Sequence, residues 1–331
     1  MVSTLVRRTH FLKHHSGLTP YRVGMDDLEV RELRYFVAVA EELNLTRAAA
    51  RLRMAQPPLS KAIQGIERKL GVVLLTRSPR GVEMTEAGYV LYDHARIALD
   101  AVSAAGLRAA RAGQADKRLV VAVKPGPDVE LLHEIRAGYE ESGAGPRVHL
   151  AVGGRGDQLA MLRDGRADVA FYQGVVDQQD VDYEVLRTEP RVVVLPPRHP
   201  LANRPVLHRA DLLGEAVPTW PGASAEATAF MDAVDLFPRP FPPVPRGPLV
   251  GNVAELLDVV AHEQAIAFVP SSVQVLYPAA RVVFARIADI SPSPLVVAWP
   301  RNSRSHAVGA FVRTAVMVAA AAEAKAPPAL R

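Results

Sequence analysis

Cysteine is absent from all 331 residues, which rules out disulfides, thiolate metal ligands and a cysteine nucleophile. The ten histidines are scattered without ligand spacing on a common helix or hairpin, so no metal centre is expected. No GxSxG elbow is present to sharpen a serine, and Gly153-Gly154-Arg155-Gly156 falls short of a GxGxxG dinucleotide loop. Nothing therefore supports an enzyme or a bound cofactor. No apolar run reads as long enough to span a bilayer, and the stretch Val2–Leu12 is too polar and broken for a secretory core. The expected location is the cytoplasm, with no membrane partner. A chain of this length, 49% hydrophobic and 22% charged, is an ordinary globular protein built from two or three packed units.

Acid is also scarce in one place. Between residues 45 and 80 Glu67 stands alone against eight bases, Arg47, Arg51, Arg53, Lys61, Arg68, Lys69, Arg77 and Arg80. The whole chain carries +4, but residues 1–117 carry +6 and the remainder −2. A surplus confined to one segment is what phosphate neutralisation requires, although a basic run can also merely solvate helix faces.

The same segment, Leu45 to Gly71, reads as two short helices. Thr46 is placed to cap the first, whose Ala48, Ala49 and Leu52 form a narrow apolar face. After Arg53-Met54-Ala55 come Gln56, Pro57 and Pro58. Prolines in a first helical turn forfeit no hydrogen bond, so a second helix can begin there. Its Leu59, Ile63, Ile66 and Leu70 make one buried stripe, and Gly71 supplies a left-handed stop. Ala55 is a poor cap, and Gly65 costs about 1 kcal/mol relative to alanine, but neither breaks the helix. The opposite side carries Gln56, Ser60, Lys61, Gln64 and Arg68, which are long or polar enough to reach base edges and phosphates in a major groove. Upstream, Leu33, Phe36, Val37, Ala40 and Leu43 recur at helical spacing as the core of a preceding helix. Downstream, Val72–Leu75 and Val82–Met84 flank a turn-rich segment, Thr76 to Gly81.

The stretch from Leu33 to about Ala112, which opens LRYFVAVAEELNLTRAAARLRMAQPPLSKAIQGIERKLGVVLLTRSPRGVEMTEAG, resembles the LysR-type transcriptional regulators without a gap. The resemblance implies a winged helix-turn-helix over residues 25–84. Its DNA-contacting residues would be Thr46, Arg47, Arg53, Gln56, Pro57, Pro58, Ser60, Lys61, Gln64, Arg68, Arg77 and Arg80, the last two on the wing against the backbone or minor groove. AQPPLS in place of the commoner SQPALS is similar to members that respond to aromatic-catabolism intermediates. Residues 1–24, with Arg7, Arg8, Lys13 and Arg22 and no acid, read as a disordered basic arm or as an artefact of start-site choice, since the resembling proteins usually begin near Met25.

Thr85 and Glu86 open a long helix over 85–112, on which Leu91, Ala95, Ala98, Val102, Ala105 and Ala109 form a seam for a two-helix contact. We read it as a dimer helix that spaces two recognition helices; the alternative is an intrachain contact with the C-terminal domain. A hinge is expected at 113–117. Beyond it, strands at Leu119–Val123, Arg147–Val152, Val169–Tyr172 and Arg191–Leu195 alternate with helices at Val129–Ser142 and Gln158–Asp164, which argues for an α/β domain with parallel strands over 118–323. A long loop is expected at Phe237–Pro248, a helix at Val253–Ala261, strands at Ile266–Val269 and Leu295–Trp299, a last helix at Val308–Ala322 and a tail at 324–331.

LRDGRADVAF, LPPRHPLANRP and AHEQAIAFVPSS resemble the same family's effector domain, a periplasmic-binding-protein-like pair of subdomains. That implies subdomain I at about 118–190 and 295–323 and subdomain II at about 191–294. The cleft between them would be lined by Lys124, Pro125, Gly126, Gly154, Arg155, Gln173, Trp220, Pro221, Asn252 and Phe268. Hydroxyl side chains with which the aromatic-catabolism members hold a carboxylate fall here at Gly126 and Arg155, so a different effector is expected. Arg155 with Lys124 suits an anion, unless Arg155 faces solvent or pairs with Asp157; Trp220 either stacks on the ligand or fills a subdomain face. The expected fold is thus α/β overall, and the expected function is a homo-oligomeric regulator, dimer or tetramer, that binds a partly palindromic double-stranded operator, a small-molecule effector and RNA polymerase. A periplasmic-type binding protein with a basic N-terminal domain and a sequence-independent nucleoid protein are the rival readings.

Overall fold

The computed structural model describes residues 28–325 except 79–80, 114–116, 127, 177–179, 222, 239 and 279. The basic tail, Arg80, most of the expected hinge and the end of the chain lie outside the described residues. The boundary between two compact units falls between Leu99 and Asp100.

The first unit holds α1 (Val30–Glu42), α2 (Leu45–Arg51), α3 (Gln56–Leu70), the hairpin strands β1 (Leu75–Ser78) and β2 (Gly81–Met84), and the start of α4 (Glu86–Ala112). Phe36, Val39, Ala48, Ala49, Leu59, Ile63, Ile66 and Leu74 form its core, the two alanines allowing α2 to lie close to its neighbours. Two sequence expectations are corrected. Leu43 is not in the stripe of α1: it follows the helix in the left-handed region (φ 45°), its N–H closing on the Val39 carbonyl and its side chain exposed. The cap of α2 is Asn44 rather than Thr46, because the Asn44 Oδ1 accepts from the N–H groups of both Thr46 (2.9 Å) and Arg47 (3.0 Å). As expected, α3 starts without a side-chain cap, carries its prolines in the first turn and ends at Gly71 (φ 69°). The hairpin arms are Leu75–Ser78 and Gly81–Met84, so Thr76, Arg77 and Ser78 lie in a strand rather than at the tip. Glu67 ties α3 to this hairpin, its Oε1 accepting from Leu74 N (2.9 Å) and Leu75 N (3.2 Å).

The apolar stripe of α4 divides. Leu91 packs on the helical core, whereas Val102, Ala105 and Ala109 face solvent. The later part of the helix belongs to the second unit and packs there through a different face: a Cβ on Gly165 (φ 80°) would lie 2.5 Å from Ala104 Cα, and Arg111 pairs with Asp168 at 3.2 Å. The intrachain contact therefore exists, on a face the seam does not use.

In the second unit the chain builds one lobe, crosses to a second and returns. The first lobe contains β3 (Leu119–Val123), α5 (Val129–Glu141), β4 (Val148–Val152), α6 (Asp157–Arg163), β5 (Val169–Gln173) and β6 (Val181–Glu189). After Pro190 come β7 (Arg191–Leu195), β8 (Val206–Leu207), a short 3-10 turn, β9 (Val217–Thr219), α7 (Ala225–Met231), β10 (Arg246–Leu249), α8 (Val253–Ala261), β11 (Ala267–Pro270), α9 (Ser272–Leu276) and β12 (Val283–Ile287). The return brings β13 (Ser293–Pro300) and α10 (His306–Lys325) back to the first lobe.

The five-stranded sheet of the first lobe runs β4-β3-β5-β13-β6, and the second lobe has β11-β7-β12-β8 beside a β10-β9 pair. The expectation of parallel strands holds for β4-β3-β5 in the first lobe and for the pairs β12-β8 and β10-β9 in the second; β13 is antiparallel to both β5 and β6, because it enters the sheet from the other lobe, and β7 is antiparallel to both β11 and β12. The expected loop at Phe237–Pro248 ends in β10. Helices α5 and α10 cover one face of the first sheet through Leu131, Ile135, Tyr139 and Phe311. The opposite face meets α6 through Leu159, Met161 and Leu162.

Contrary to the sequence expectation, His306–Ala324 is long and apolar enough to cross a membrane by length and composition. Its Val308, Phe311, Val312, Ala315 and Ala319 instead bury against the sheet, so the excess of small apolar residues serves packing.

Candidate functional site

Two surfaces bring the sequence-predicted residues together. On the first unit, Leu59, Ile63 and Ile66 turn α3's apolar side inward, which leaves Lys61, Gln64 and Arg68 exposed on the opposite side. Among the described residues no carboxylate pairs with Lys61 or Arg68. Gln56 and Ser60 are half-buried at the start of the helix, beside the exposed Pro57 and Pro58. Arg53 is exposed in the turn between α2 and α3, in the left-handed region (φ 55°). Thr46 is exposed at the start of α2, its N–H held by Asn44. Arg47 differs: its guanidinium pairs with Glu42 at 3.4 Å and donates to the Glu42 carbonyl. Arg51 is likewise bound to Glu41 (2.6 Å) and Glu42 (3.5 Å). The basic surplus is thus part solvated ion pairs near α1 and part exposed cations on α3 and its preceding turn. Arg77 lies in β1, opposite Val82.

In the second unit a cavity of about 300 Å³ opens at the crossing between the lobes. It takes in Lys124, Pro125, Gly126, Arg155, Gln173, Trp220 and Phe268 from the expected set. Gly154 and Pro221 line an adjoining cavity that shares Arg155 and Trp220 as its partition. Asn252 lines neither. Its side chain accepts from Glu255 N (3.0 Å) and donates to Glu255 Oε1 (2.7 Å), so it is the cap of α8. Sequence reasoning missed Arg191, Phe230, Leu256, Val269, Ser272, Val273, Tyr277 and Ser293, all of which line the main cavity. The apolar ones were visible only as ordinary core periodicity, and the polar ones had no signal in the sequence at all.

The electrostatics of the lining are uneven. Among the described residues no acid lines the cavity, and the two whose charges act on Lys124 from beside it are already engaged: Glu189 accepts from Gln173 Nε2 (2.6 Å), Ser271 Oγ (3.2 Å), Ser272 Oγ (3.0 Å) and Ser272 N (2.9 Å), and Asp128 pairs with Arg187. Arg191 is engaged too, with Ser291 (Nε to O 2.7 Å, Nη2 to Oγ 2.8 Å), the Phe230 carbonyl and Asp235 (3.4 Å). Burial pushes it down to about 10, which leaves it charged at neutral pH.

Among the described residues no carboxylate pairs with Lys124 or Arg155. Arg155 stacks its guanidinium 4.7 Å over the Trp220 ring, and Asp157, its alternative partner, is spent on Gly154 N (2.7 Å). Burial holds Arg155 below the usual guanidinium range. Lys124 is held below the usual lysine range by burial first and by the Arg155 charge second. Two cations that burial and mutual repulsion disfavour make a site that an anion would relieve. Among the described residues no group of three or more His, Asp or Glu is placed to hold a metal.

Residues 112–320 match the family model described as LysR substrate binding domain, and residues 30–89 the model for the bacterial regulatory helix-turn-helix protein, lysR family. The chain is 32% identical over 287 residues to the Hca operon transcriptional activator HcaR of Escherichia coli (strain K12), covering 86% of this chain and 96% of that protein. It is 33% identical over 253 residues to the HTH-type transcriptional regulator CatR of Pseudomonas putida, covering 75% and 84%. The crystal structure of a full-length BenM variant superposes with a TM-score of 0.50 at 28% identity, covering 91% of this chain and 99% of that one.

Proposed function

The chain belongs to the LysR family of bacterial transcriptional regulators, and from that premise we propose that a small anionic effector in the cavity between the lobes controls its activity at a promoter. As a member of that family it is a DNA-binding transcriptional regulator with an effector-binding domain, and not an enzyme. The observation that carries the anionic reading is the pair Lys124 and Arg155, lining one cavity that among the described residues no acid lines, while the neighbouring Glu189 and Asp128 are committed elsewhere. An anion there would gain charge-assisted hydrogen bonds and raise Lys124 back toward its ordinary value.

At the other end of the chain, α3 enters the major groove of a partly palindromic operator with Lys61, Gln64 and Arg68 facing the bases, while Arg53 and the wing meet phosphates. Arg47 reaches a phosphate only by giving up Glu42, so Arg53 is the better backbone contact. Exposed Val102, Ala105 and Ala109 on α4 favour a second copy as partner, giving a dimer or a pair of dimers. Effector binding then changes how the copies are set on DNA and how they meet RNA polymerase. The protein works in the cytoplasm.

The DNA-reading assignment is tested by fluorescence anisotropy on Lys61→Ala and Arg53→Ala. Lys61→Ala is expected to cost about 1 to 3 kcal/mol on operator DNA and relax sequence preference, whereas Arg53→Ala should weaken operator and random DNA alike. Equal losses on both DNAs from both variants would remove Lys61 from the reading face.

A further inference from the structure

Ser293 is the first residue of β13, at the point where the chain returns from the second lobe to the first. It sits opposite Glu189, the last residue of β6, so the two flank the crossing itself. Only 1% of Ser293 is exposed, it lines the main cavity, and its hydroxyl has no hydrogen-bond partner among the described residues. A buried hydroxyl left unpaired is destabilising, because it has given up water without gaining a partner, and Ser291 nearby shows the alternative, its Oγ accepting from Arg191. The rest of the wall is strongly asymmetric. Lys124 and Arg155 stand on one side, and on the other Leu256, Val269, Val273 and Tyr277 belong to the apolar core of the second lobe.

From this we infer that the effector is an amphiphilic monocarboxylate, with its single anionic head held by Lys124, Arg155 and the Ser293 hydroxyl and its apolar body lying against Leu256, Val269, Val273 and Tyr277. This rests on the anionic reading proposed for the same cavity and narrows it. A dicarboxylate would press its second charge into the apolar wall, where a buried unpaired charge is prohibitive. A very small anion would leave most of the space unfilled: apolar cavities of about 150 Å³ hold one benzene-sized group, so this cavity takes a body of roughly twice that. The Ser293 hydroxyl, donating its proton to a carboxylate oxygen, is the specificity-determining contact, because the carboxylate satisfies a group that the surrounding side chains leave unpaired. Since Ser293 and Glu189 lie on the two crossing strands, a ligand held there bears directly on the angle between the lobes.

Titration calorimetry on the full chain distinguishes the outcomes, with propionate, hexanoate, hexanamide, adipate, 4-methylbenzoate and 4-methylbenzamide as probes. The expected order places hexanoate or 4-methylbenzoate at least 10-fold tighter than propionate, adipate and both amides. Ser293→Ala should weaken the best carboxylate about 10-fold while leaving its amide unchanged, and thermal unfolding of the ligand-free variant should be unaltered or later, since an orphaned polar group has been removed. A structural serine would instead give earlier unfolding with unchanged affinity, and that result overturns the role of Ser293. If propionate or adipate binds as tightly as the larger monocarboxylates, the amphiphilic class is wrong while the anionic reading stands. Amides binding as tightly as acids would defeat both.

Discussion

Gly88→Ala unfolds the winged helix-turn-helix without disturbing the effector domain. Propensity alone says the reverse, since alanine inside a helix is favoured over glycine by about 1 kcal/mol. Gly88, in the first turn of α4, is buried, and a Cβ there would lie 2.2 Å from the Leu74 carbonyl oxygen, 3.2 Å from its carbon and 3.3 Å from Met84 Cβ. The contact is with backbone, and it cannot be relieved by rotating a side chain. Nor can the backbones part easily, because the Thr85 hydroxyl is bonded to the carbonyls of Val73 (2.7 Å) and Leu74 (3.2 Å) and accepts from Gly88 N (3.0 Å). Overpacking of this kind costs about 3 kcal/mol or more and outweighs the propensity gain. Gly106, in the same helix with nothing within 4 Å of a Cβ, is the control: Gly106→Ala should stabilise by about 0.4 to 1 kcal/mol. Amide hydrogen exchange on the full chain checks both. Protection should collapse in residues 30–84 and persist in 119–320 for Gly88→Ala, with specific DNA binding lost; unchanged protection in both regions would show that the two segments are not held as described.

Lys124→Met is expected to separate stability from function. Removing a cation that burial and Arg155 both disfavour should raise the thermal stability of the ligand-free protein, while affinity for the best carboxylate falls about 10- to 100-fold, the worth of a hydrogen bond to a charged group. The pH dependence follows from the same shift. Because the folded pKa of Lys124 lies below its unfolded value, the unfolded chain binds more protons between the two, so stability rises as pH climbs through that interval. Anion affinity runs the other way, flat below the lowered pKa and falling above it as the ammonium is lost. Lys124→Met should abolish both slopes. Calorimetric titration across pH with parallel thermal melts reads them together, and a variant that is less stable yet binds normally would make Lys124 a structural residue.

How far the sequence discloses this molecule depends on the range of the interactions involved. The stripe Leu59, Ile63, Ile66 and the stop at Gly71 are local, and they fold as the spacing predicts. Strands that are buried on both sides, such as Leu119–Val123 and Arg191–Leu195, announce themselves as apolar runs and have the expected bounds. β6, VDYEVLRTE, is an edge strand with an exposed polar face, so it carries no such signal, and its antiparallel pairing with β13 is set by a partner about a hundred residues away. Caps divide on one detail. Asn44 and Thr46 are both suited to cap α2, and only the backbone conformation at Asn44 (φ −154°, ψ 115°) decides between them. In the cavity, Lys124, Arg155, Gln173 and Trp220 come together as the resemblance implied, whereas Asn252 is taken by its own helix. Whether Arg155 would meet Asp157 was undecidable from adjacency, because the competing partners, Trp220 and Gly154 N, are fixed by the fold.

The most direct test of sequence-specific regulation is fluorescence anisotropy at physiological salt, titrating the purified chain onto labelled DNA from the intergenic region beside its own gene, with a scrambled sequence as control. A sequence-specific regulator binds the genomic fragment with a preference of roughly 10³ or more over the scramble, and retains that ratio as rising salt weakens both. Equal affinity for both DNAs, falling together with salt, would contradict it and point to sequence-independent binding instead.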